Sequence, residues 1–228
     1  MIGNKSILAI TLARGGSKRV PNKNIADING KPLIQYTIDE VKKSKYIDDY
    51  IVSTDSIDIH NVCKNLNVKS FDREPASDTQ TTADGLLEVI ENQKKYDYIV
   101  EIMCTNPLKT VDDIDRVIKK LDDTNADSIV SVVRIWDNHP SRVKYIEFDR
   151  LVDFYPEIPE SRRQDLSPAA YVRNGSIYAM TYEQILNNKI RLGNDTRPYV
   201  MPENRTINID EKIDLELARI MLKWKYYV

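Results

Sequence analysis

Between Leu12 and Asn24 the chain reads LARGGSKRVPNKN, which sets Arg14, Lys18, Arg19 and Lys23 around the adjacent glycines Gly15 and Gly16, directly after an apolar run. Glycine lets backbone amides approach a ligand closely, and Arg14, Lys18 and Lys23 add fixed positive charge, so the stretch suits a polyphosphate. It is not a P-loop, because no Gly-Lys-Ser/Thr follows, and its glycines have the wrong spacing for the dinucleotide fingerprint. A solvated basic loop satisfies the same composition equally well.

Other reactive residue types have plainer readings. The two cysteines, Cys63 and Cys104, fall in different kinds of element and make neither a disulfide framework nor a metal cluster. Cys104 reads as a small buried hydrophobe, and His139 as structural. The run Asp112 to Asp115 (DDID) lies in a helix start, where solvated capping charges explain it. Asp55, ending IVSTD, is either a polar contact to a ligand or the cap of a helix beginning near Ser56.

These residues need a scaffold, and the length and composition bound it. With 228 residues, 41% hydrophobic and 30% charged, the chain suits one domain spanning 1–228 around a sizeable α/β core. Lys+Arg 33 against Asp+Glu 35 leaves a formal charge of -2, so there is no global basic field to draw nucleic acid or an anionic membrane. No segment is long and apolar enough to span a bilayer, and the first residues lack a signal peptide's pattern, so a cytoplasmic location is expected.

Short apolar runs at Ser6 to Leu12, Tyr50 to Ser53, Tyr98 to Met103 and Ser128 to Arg134 alternate with stretches of helical spacing at Pro32 to Ser44, Ile57 to Leu66, Thr82 to Asn92 and Val111 to Asp122. That alternation predicts a mostly parallel sheet flanked by helices, in which the loop after the first strand lies where such folds bind ligands. Asn29-Gly30 marks a tight turn, and Thr110 a helix start. Gly175 to Met180 and Arg205 to Ile209 are expected as further strands, with a closing helix from about Glu211 to Trp224. Residues 136–167, rich in proline and aromatics and poor in periodicity, are expected as an excursion from the core that packs on a second subunit.

ARGGSKRVPNKNI, NGKPLIQYTI and IVSTDS are followed in order by DREPASDT, TNPLKTVDDID, ADSIVSV, RRQD, RNGSIYAM and NIDEKIDLELA. Over nearly the whole chain this resembles the CMP-sialic acid synthetase family, the cytidylyltransferases acting on acidic nonulosonic sugars. The resemblance implies a Rossmann-like α/β nucleotidyltransferase fold, with the excursion as an inserted dimerisation arm and a homodimer as the assembly. It also implies a reaction: the anomeric hydroxyl of a nine-carbon sugar acid attacks the α-phosphorus of CTP, with Mg²⁺ as cofactor, giving the CMP-sugar and pyrophosphate.

By the same resemblance, Arg14, Lys18, Lys23 and Asp210 carry the catalysis. Leu12, Ala13, Arg14, Gly15, Lys23, Asn24, Arg73, Ser77 and Thr79 hold CTP, with the Asn24 amide offering a donor and an acceptor to cytosine. Asp210 holds the metal, assisted more weakly by Asn208, which stands where many members carry an aspartate. Met103, Thr105, Asn106, Arg142, Arg163, Gln164, Asn174 and Tyr178 surround the sugar acid, with Arg142 reaching a neighbour's site in a dimer and Arg163 pairing with the sugar carboxylate.

One segment departs from the family. Where its members commonly read Gln-Pro-Thr-Ser-Pro-Leu-Arg-Thr, this chain has Met103, Cys104 and Lys109 in place of glutamine, proline and arginine. A thioether cannot donate a hydrogen bond, so Met103 is expected to favour a deoxygenated sugar such as legionaminic acid over sialic acid, unless it points into the core. Three rival readings stand beside this one: a glycosyltransferase of related topology, an octulosonate cytidylyltransferase, and a nucleotide-binding homologue that has lost catalysis. Pyrophosphate release from CTP and a sugar acid separates the first and last from the enzyme.

Overall fold

The first strand, β1 (Ile7–Leu12), is apolar almost throughout because both of its faces are covered. Leu8 and Ile10 pack with Leu86, Val89 and Ile90, while Ile7 and Ala9 pack on the other side with Ile114, Val117 and Ile118. A strand buried on both faces reads as a continuous apolar run, which is why it stands out in the sequence.

The computed structural model describes residues 1–75, 80–156 and 162–224. After β1 come a small hairpin of β2 (Asp27–Ile28) and β3 (Lys31–Pro32), then α1 (Leu33–Val41), β4 (Asp49–Thr54), α2 (Ile57–Asn65), β5 (Lys69–Asp72) and α3 (Thr82–Glu91). The chain continues through β6 (Tyr98–Ile102), α4 (Val111–Thr124) and β7 (Ser128–Ile135), a hairpin of β8 (Lys144–Glu147) and β9 (Arg150–Asp153), and the long strand β10 (Ala170–Thr181). It closes with α5 (Tyr182–Asn188), β11 (Thr196–Val200) and α6 (Lys212–Trp224). Among the described residues these strands form a seven-stranded sheet in the order β11-β7-β10-β6-β1-β4-β5, parallel except for β10, which runs antiparallel to both of its neighbours.

Local chemistry accounts for several joints. Asn29 and Gly30 both take positive φ, 52° and 83°, and close the β2–β3 hairpin. Thr110 and Thr81 each cap a helix in a capping box, with Asp113 and Asp84 as the returning carboxylates. Asp113 does more than cap and corrects the reading of DDID as solvated charge. It is fully buried, its Oδ1 accepts from Arg205 Nη2 at 2.9 Å and from the Tyr199 hydroxyl at 3.0 Å, and its Oδ2 accepts from Arg205 Nη1. Burial pushes this carboxyl up, yet Arg205 and the Thr110 amide outweigh it and hold the acid below its ordinary range.

The strand expected over Arg205 to Ile209 does not form. The edge beside β7 is taken by β11, and 203–205 make a 3-10 turn instead. The segment beyond is held by the Arg205–Asp113 pair and by the Ile209 amide, which donates to the Thr105 carbonyl at 2.9 Å. β10 is longer than Gly175 to Met180, and its register shifts between Arg173 and Tyr178, where Gly175 has φ +60°. Within 136–167 the structure shows more order than the sequence does. Here β8 and β9 pair across Phe148 and Asp149, both at positive φ, and leave Ile146, Phe148 and Leu151 exposed at 76%, 93% and 75%.

Candidate active site

The basic loop leaves the carboxyl end of β1 and is pinned from outside. Ala13 N–H donates to the Ser53 carbonyl at 2.8 Å, extending the β1–β4 ladder, and Gly15 N–H donates to Asp55 Oδ1 at 2.7 Å. Asp55 thus anchors the loop, and Ser56, not Asp55, stands at the N-cap of α2. A side chain at Gly15 would meet the Cβ of Ser56 at 2.8 Å, so glycine is required by close approach. Asn24, buried inside the loop, donates through Nδ2 to the Arg14 carbonyl at 2.9 Å, and its Oδ1 accepts from the Cys104 thiol at 3.2 Å. One donor and one acceptor of this amide thus hold the loop in place, while the side chain also lines the first cavity.

Three adjoining cavities open at this loop, by the carboxyl ends of the central strands β1 and β6. The first, about 370 Å³, is lined by Leu12, Arg14, Lys23, Asn24, Arg73, Met103 and Thr105, with Thr81, Thr82 and Glu101. The second, about 270 Å³, shares Arg14, Ser17 and Lys23 and adds Lys18, Arg19 and Asp210. The third, about 420 Å³, shares Thr82 and Met103 with the first and is walled by Arg173, Asn174, Tyr178, Arg191, Thr206 and Asn208. Met103 therefore borders a cavity on each side while also packing against the core cluster that holds Leu86 and Tyr178.

The second cavity is a basin of positive charge with one carboxylate on its wall. Lys23 Nζ donates to the Ile209 carbonyl at 2.7 Å and to Asp210 Oδ1 at 3.1 Å, while Asn208 Nδ2 donates to Asp210 Oδ2 at 2.6 Å. Four cationic side chains around a 270 Å³ basin suit a polyphosphate better than any neutral ligand. In the first cavity Arg73 is almost fully buried, and its Nε has no hydrogen-bond partner. Burial lowers its affinity for a proton, only partly offset by Asp55 and Glu88, so this guanidinium carries a desolvation cost inside the cavity wall. Thr105 Oγ1 is buried without a partner in the same wall.

Below the cavities, Lys109 is fully buried and spends its ammonium on the Thr37 hydroxyl at 2.8 Å, the Met103 carbonyl at 2.7 Å and the Asn106 carbonyl. It fixes the turn that carries Met103, Thr105 and Asn106. Burial pushes the Cys104 thiol up to about 11, so it stays protonated at neutral pH.

Leu12, Arg14, Lys18, Lys23, Asn24, Arg73, Met103, Thr105, Asn174, Tyr178, Asn208 and Asp210 are thus gathered into one continuous groove. Ala13 and Gly15 shape its loop. Asn106 is buried behind it, donating through Nδ2 to the Asn174 carbonyl at 3.3 Å, and Asn174 turns its own Oδ1 to the Ser131 hydroxyl at 2.7 Å. Arg142, Arg163 and Gln164 are not brought to the groove. Arg142 and Arg163 each lie 3.8 Å from Asp137, and the Arg163 guanidinium sits over the Trp136 ring at 5.5 Å, all on the arm. His139 is structural as expected, with Nε2 facing the Pro168 carbonyl at 2.9 Å and Nδ1 the Ser141 hydroxyl at 2.7 Å. Ser77 and Thr79 lie outside the described residues.

Sequence reasoning missed Thr81, Thr82, Glu101, Arg173, Arg191 and Thr206. Arg173, adjoining Asn174, was within reach of the same motif; nothing in the sequence pairs Glu101 with Arg191.

Comparison with known proteins agrees with this geometry. Residues 8–191 match the profile of the family described as cytidylyltransferase. The chain is 30% identical over 226 residues to the pseudaminic acid cytidylyltransferase of Campylobacter jejuni subsp. jejuni serotype O:2, covering 95% of this chain and 96% of that one. It is 29% identical over 212 residues to the N-acylneuraminate cytidylyltransferase of Streptococcus agalactiae serotype V, covering 91% of this chain and 51% of that one. Among solved structures, a CMP:2-keto-3-deoxy-manno-octonic acid synthetase complexed with CTP superposes with a TM-score of 0.73 at 20% identity, over 96% of this chain and 99% of that one. The 4-diphosphocytidyl-2C-methyl-D-erythritol synthase of Anaerococcus prevotii does so with 0.66 at 17%, over 96% and 99%. A glycosyltransferase reading falls away, and on the family profile and the full-length relatives together the chain belongs to the cytidylyltransferase family.

Proposed function

We propose that the enzyme transfers CMP from CTP to the anomeric hydroxyl of a nine-carbon sugar acid and releases pyrophosphate. The observation that carries this reading is the order of the three cavities: a cationic basin, a middle chamber walled by buried Arg73, and a third chamber reached past Met103. Triphosphate in the basin and nucleoside in the middle leave the third for the acceptor. The relatives named for pseudaminic and N-acylneuraminic acid support a nonulosonic acid as its occupant.

Transfer forms a bond from the sugar oxygen to the α-phosphorus, breaks the bond to the bridging oxygen of pyrophosphate, and releases the hydroxyl proton. Arg14, Lys18 and Lys23 offset the charge that grows on the departing pyrophosphate and hold the triphosphate in line. A magnesium ion takes most of its ligands from phosphates and water and needs only one or two carboxylates, a demand that half-exposed Asp210 on the basin wall meets. Asp210 would hold Mg²⁺, with the neighbouring Asn208 supplying an amide but no charge. When bound, the ion supplies charge neutralisation between the phosphates.

Met103 presents a thioether where the middle and third chambers meet, which favours acceptors bearing a methyl group in place of a hydroxyl, as in legionaminic and pseudaminic acids. The arm, 136–167, pairs with a second copy through Ile146, Phe148 and Leu151 in this reading, bringing Arg142 or Arg163 toward the neighbour's groove. Sedimentation of a Phe148→Asp/Leu151→Asp variant as a monomer, beside a dimeric parent, tests that assembly.

The test of the reaction is pyrophosphate release from CTP and Mg²⁺ with sialic, legionaminic, pseudaminic and octulosonic acids. Turnover with a nonulosonate is expected. Turnover with octulosonate alone would reassign the acceptor, and CTP binding with no turnover on any sugar would make the chain a homologue without catalysis.

A further inference from the structure

Glu101 is the feature of the groove that the proposed reaction leaves unexplained. It sits one residue from the end of β6, 1% exposed, and is the one charged residue of a strand otherwise made of Tyr98, Ile99, Val100 and Ile102. Its cross-strand neighbour on β10 is Tyr178. Arg191 lies against both, with Nη1 donating to Glu101 Oε2 at 2.8 Å and its guanidinium stacked 4.1 Å from the centre of the Tyr178 ring. Burying an ion pair in place of apolar packing is seldom stabilising, so such a trio calls for a use.

The trio spans the wall between two chambers: Glu101 lines the middle one, and Tyr178 and Arg191 line the third. Arg191 is also held rigidly by its backbone. The Ile190 carbonyl accepts from Gln184 Nε2 at 3.2 Å, Leu192 packs on the core, and Gly193 N–H donates to the Ser128 hydroxyl at 3.1 Å. A side chain at Gly193 would strike Asp127 Cβ at 2.3 Å, so the segment after α5 has little freedom to move. With Nη1 committed to Glu101 and one face to Tyr178, the guanidinium keeps further N–H donors and only about a fifth of its side-chain surface exposed, at 21%. No carboxylate of the described residues lines the third chamber, while Arg173 and Arg191 both do.

We propose that Arg191 is a specificity-determining residue: held by Glu101 and Tyr178, it donates to an oxygen of the acceptor, either the carboxylate or an acyl carbonyl. This rests on the reading of the third chamber as the acceptor site. Glu101 acts as a positioning residue, aiming the fork and cancelling its charge so that a neutral carbonyl or a single carboxylate is received without excess field. An acceptor lacking that oxygen leaves the remaining N–H donors of Arg191 without an acceptor, a loss that a hydrogen bond to a charged group sets at about 10- to 100-fold in affinity.

The experiment compares wild type, Glu101→Gln and Glu101→Gln/Arg191→Met with the sugar acid that turns over. The glutamine background avoids stranding a buried carboxylate when the guanidinium is removed. Relative to Glu101→Gln, the double variant is expected to raise the acceptor KM at least tenfold while the CTP KM moves less than threefold. An acceptor without its carboxylate group, and one stripped of its acyl groups, identify the oxygen: the double variant loses nothing further on the analogue that already lacks it. Wild-type turnover with an unmoved acceptor KM in the double variant overturns the proposal alone. Failure of the wild type to bind or turn over any sugar acid overturns it together with the reading of the chamber.

Discussion

Lys23 and Asp210, 187 residues apart in sequence, meet as an ion pair at 3.1 Å on the wall of the cationic basin. The contact joins the loop after β1 to the segment before α6, and the proposed reaction gives its partners separate roles, Lys23 on the triphosphate and Asp210 on the cation. Lys23 is half-buried and also tied to the Ile209 carbonyl, so its ammonium is positioned before any ligand binds.

Lys23→Ala should lower kcat by about 10²- to 10³-fold, the scale of removing one preorganised donor from developing charge. Asp210→Asn should remove most Mg²⁺-dependent activity while leaving CTP binding measurable by calorimetry. Unchanged kinetics in the first would take Lys23 off the phosphates, and a shift in sugar KM alone in the second would point to another metal ligand.

Gly15 and Asp55 hold the basic loop through one hydrogen bond and one close approach. Gly15→Ala pushes a methyl group into Ser56, and Asp55→Ala leaves the Gly15 amide without its acceptor. Both should raise the CTP KM by about tenfold, equivalent to about 1.4 kcal/mol, with little change in thermal stability. A loss of melting temperature without a KM effect would make the contact structural only.

Met103→Gln restores a hydrogen-bonding side chain between the nucleoside and acceptor chambers. The ratio of kcat/KM for sialic over legionaminic acid is expected to rise by about tenfold. Equal activity on both sugars in the parent, retained in the variant, would remove Met103 from acceptor choice.

Asp113 and Arg205 form a buried pair that places the Asn208–Asp210 segment. Arg205→Leu should cost about 3–5 kcal/mol, because it strands a buried carboxylate. The paired acid is held below its ordinary range, so its contribution is present above about pH 4 and fades as pH falls through its folded-state value. In the variant, burial is opposed only by the hydrogen bonds from Thr110 and Tyr199, and the balance moves toward the protonated acid. The stability gap between parent and variant should therefore be widest at pH 7 and narrow steadily toward pH 4, as thermal melts across that range would register.

The strands with two buried faces, β1, β6 and β7, and helices with clear caps such as α4 were legible because their patterns are local: apolar runs of strand length, and Thr110 with Asp113 three residues on. β5, β11 and α5 were not. Lys69–Asp72 and Thr196–Val200 are edge strands with polar, half-exposed residues, and Tyr182–Asn188 is barely two turns long. The extended segment through Asn208 misleads for the opposite reason: it has strand-like residues, but the edge beside β7 is already occupied by β11.

By itself the sequence determined the alternation of the α/β core, the basic glycine loop at the end of the first strand, and a set of motifs specific enough to point to cytidylyl transfer. All of these depend on residues near one another in the chain. Only the tertiary structure decided that Asp55 anchors that loop, that Asn24 ties the loop through the Arg14 carbonyl, that Met103 divides two chambers, and that Glu101 and Arg191 meet across 90 residues. Such partners are chosen by which strands become neighbours in the sheet, and strand order is a property of the whole packed core that no short stretch of residues encodes.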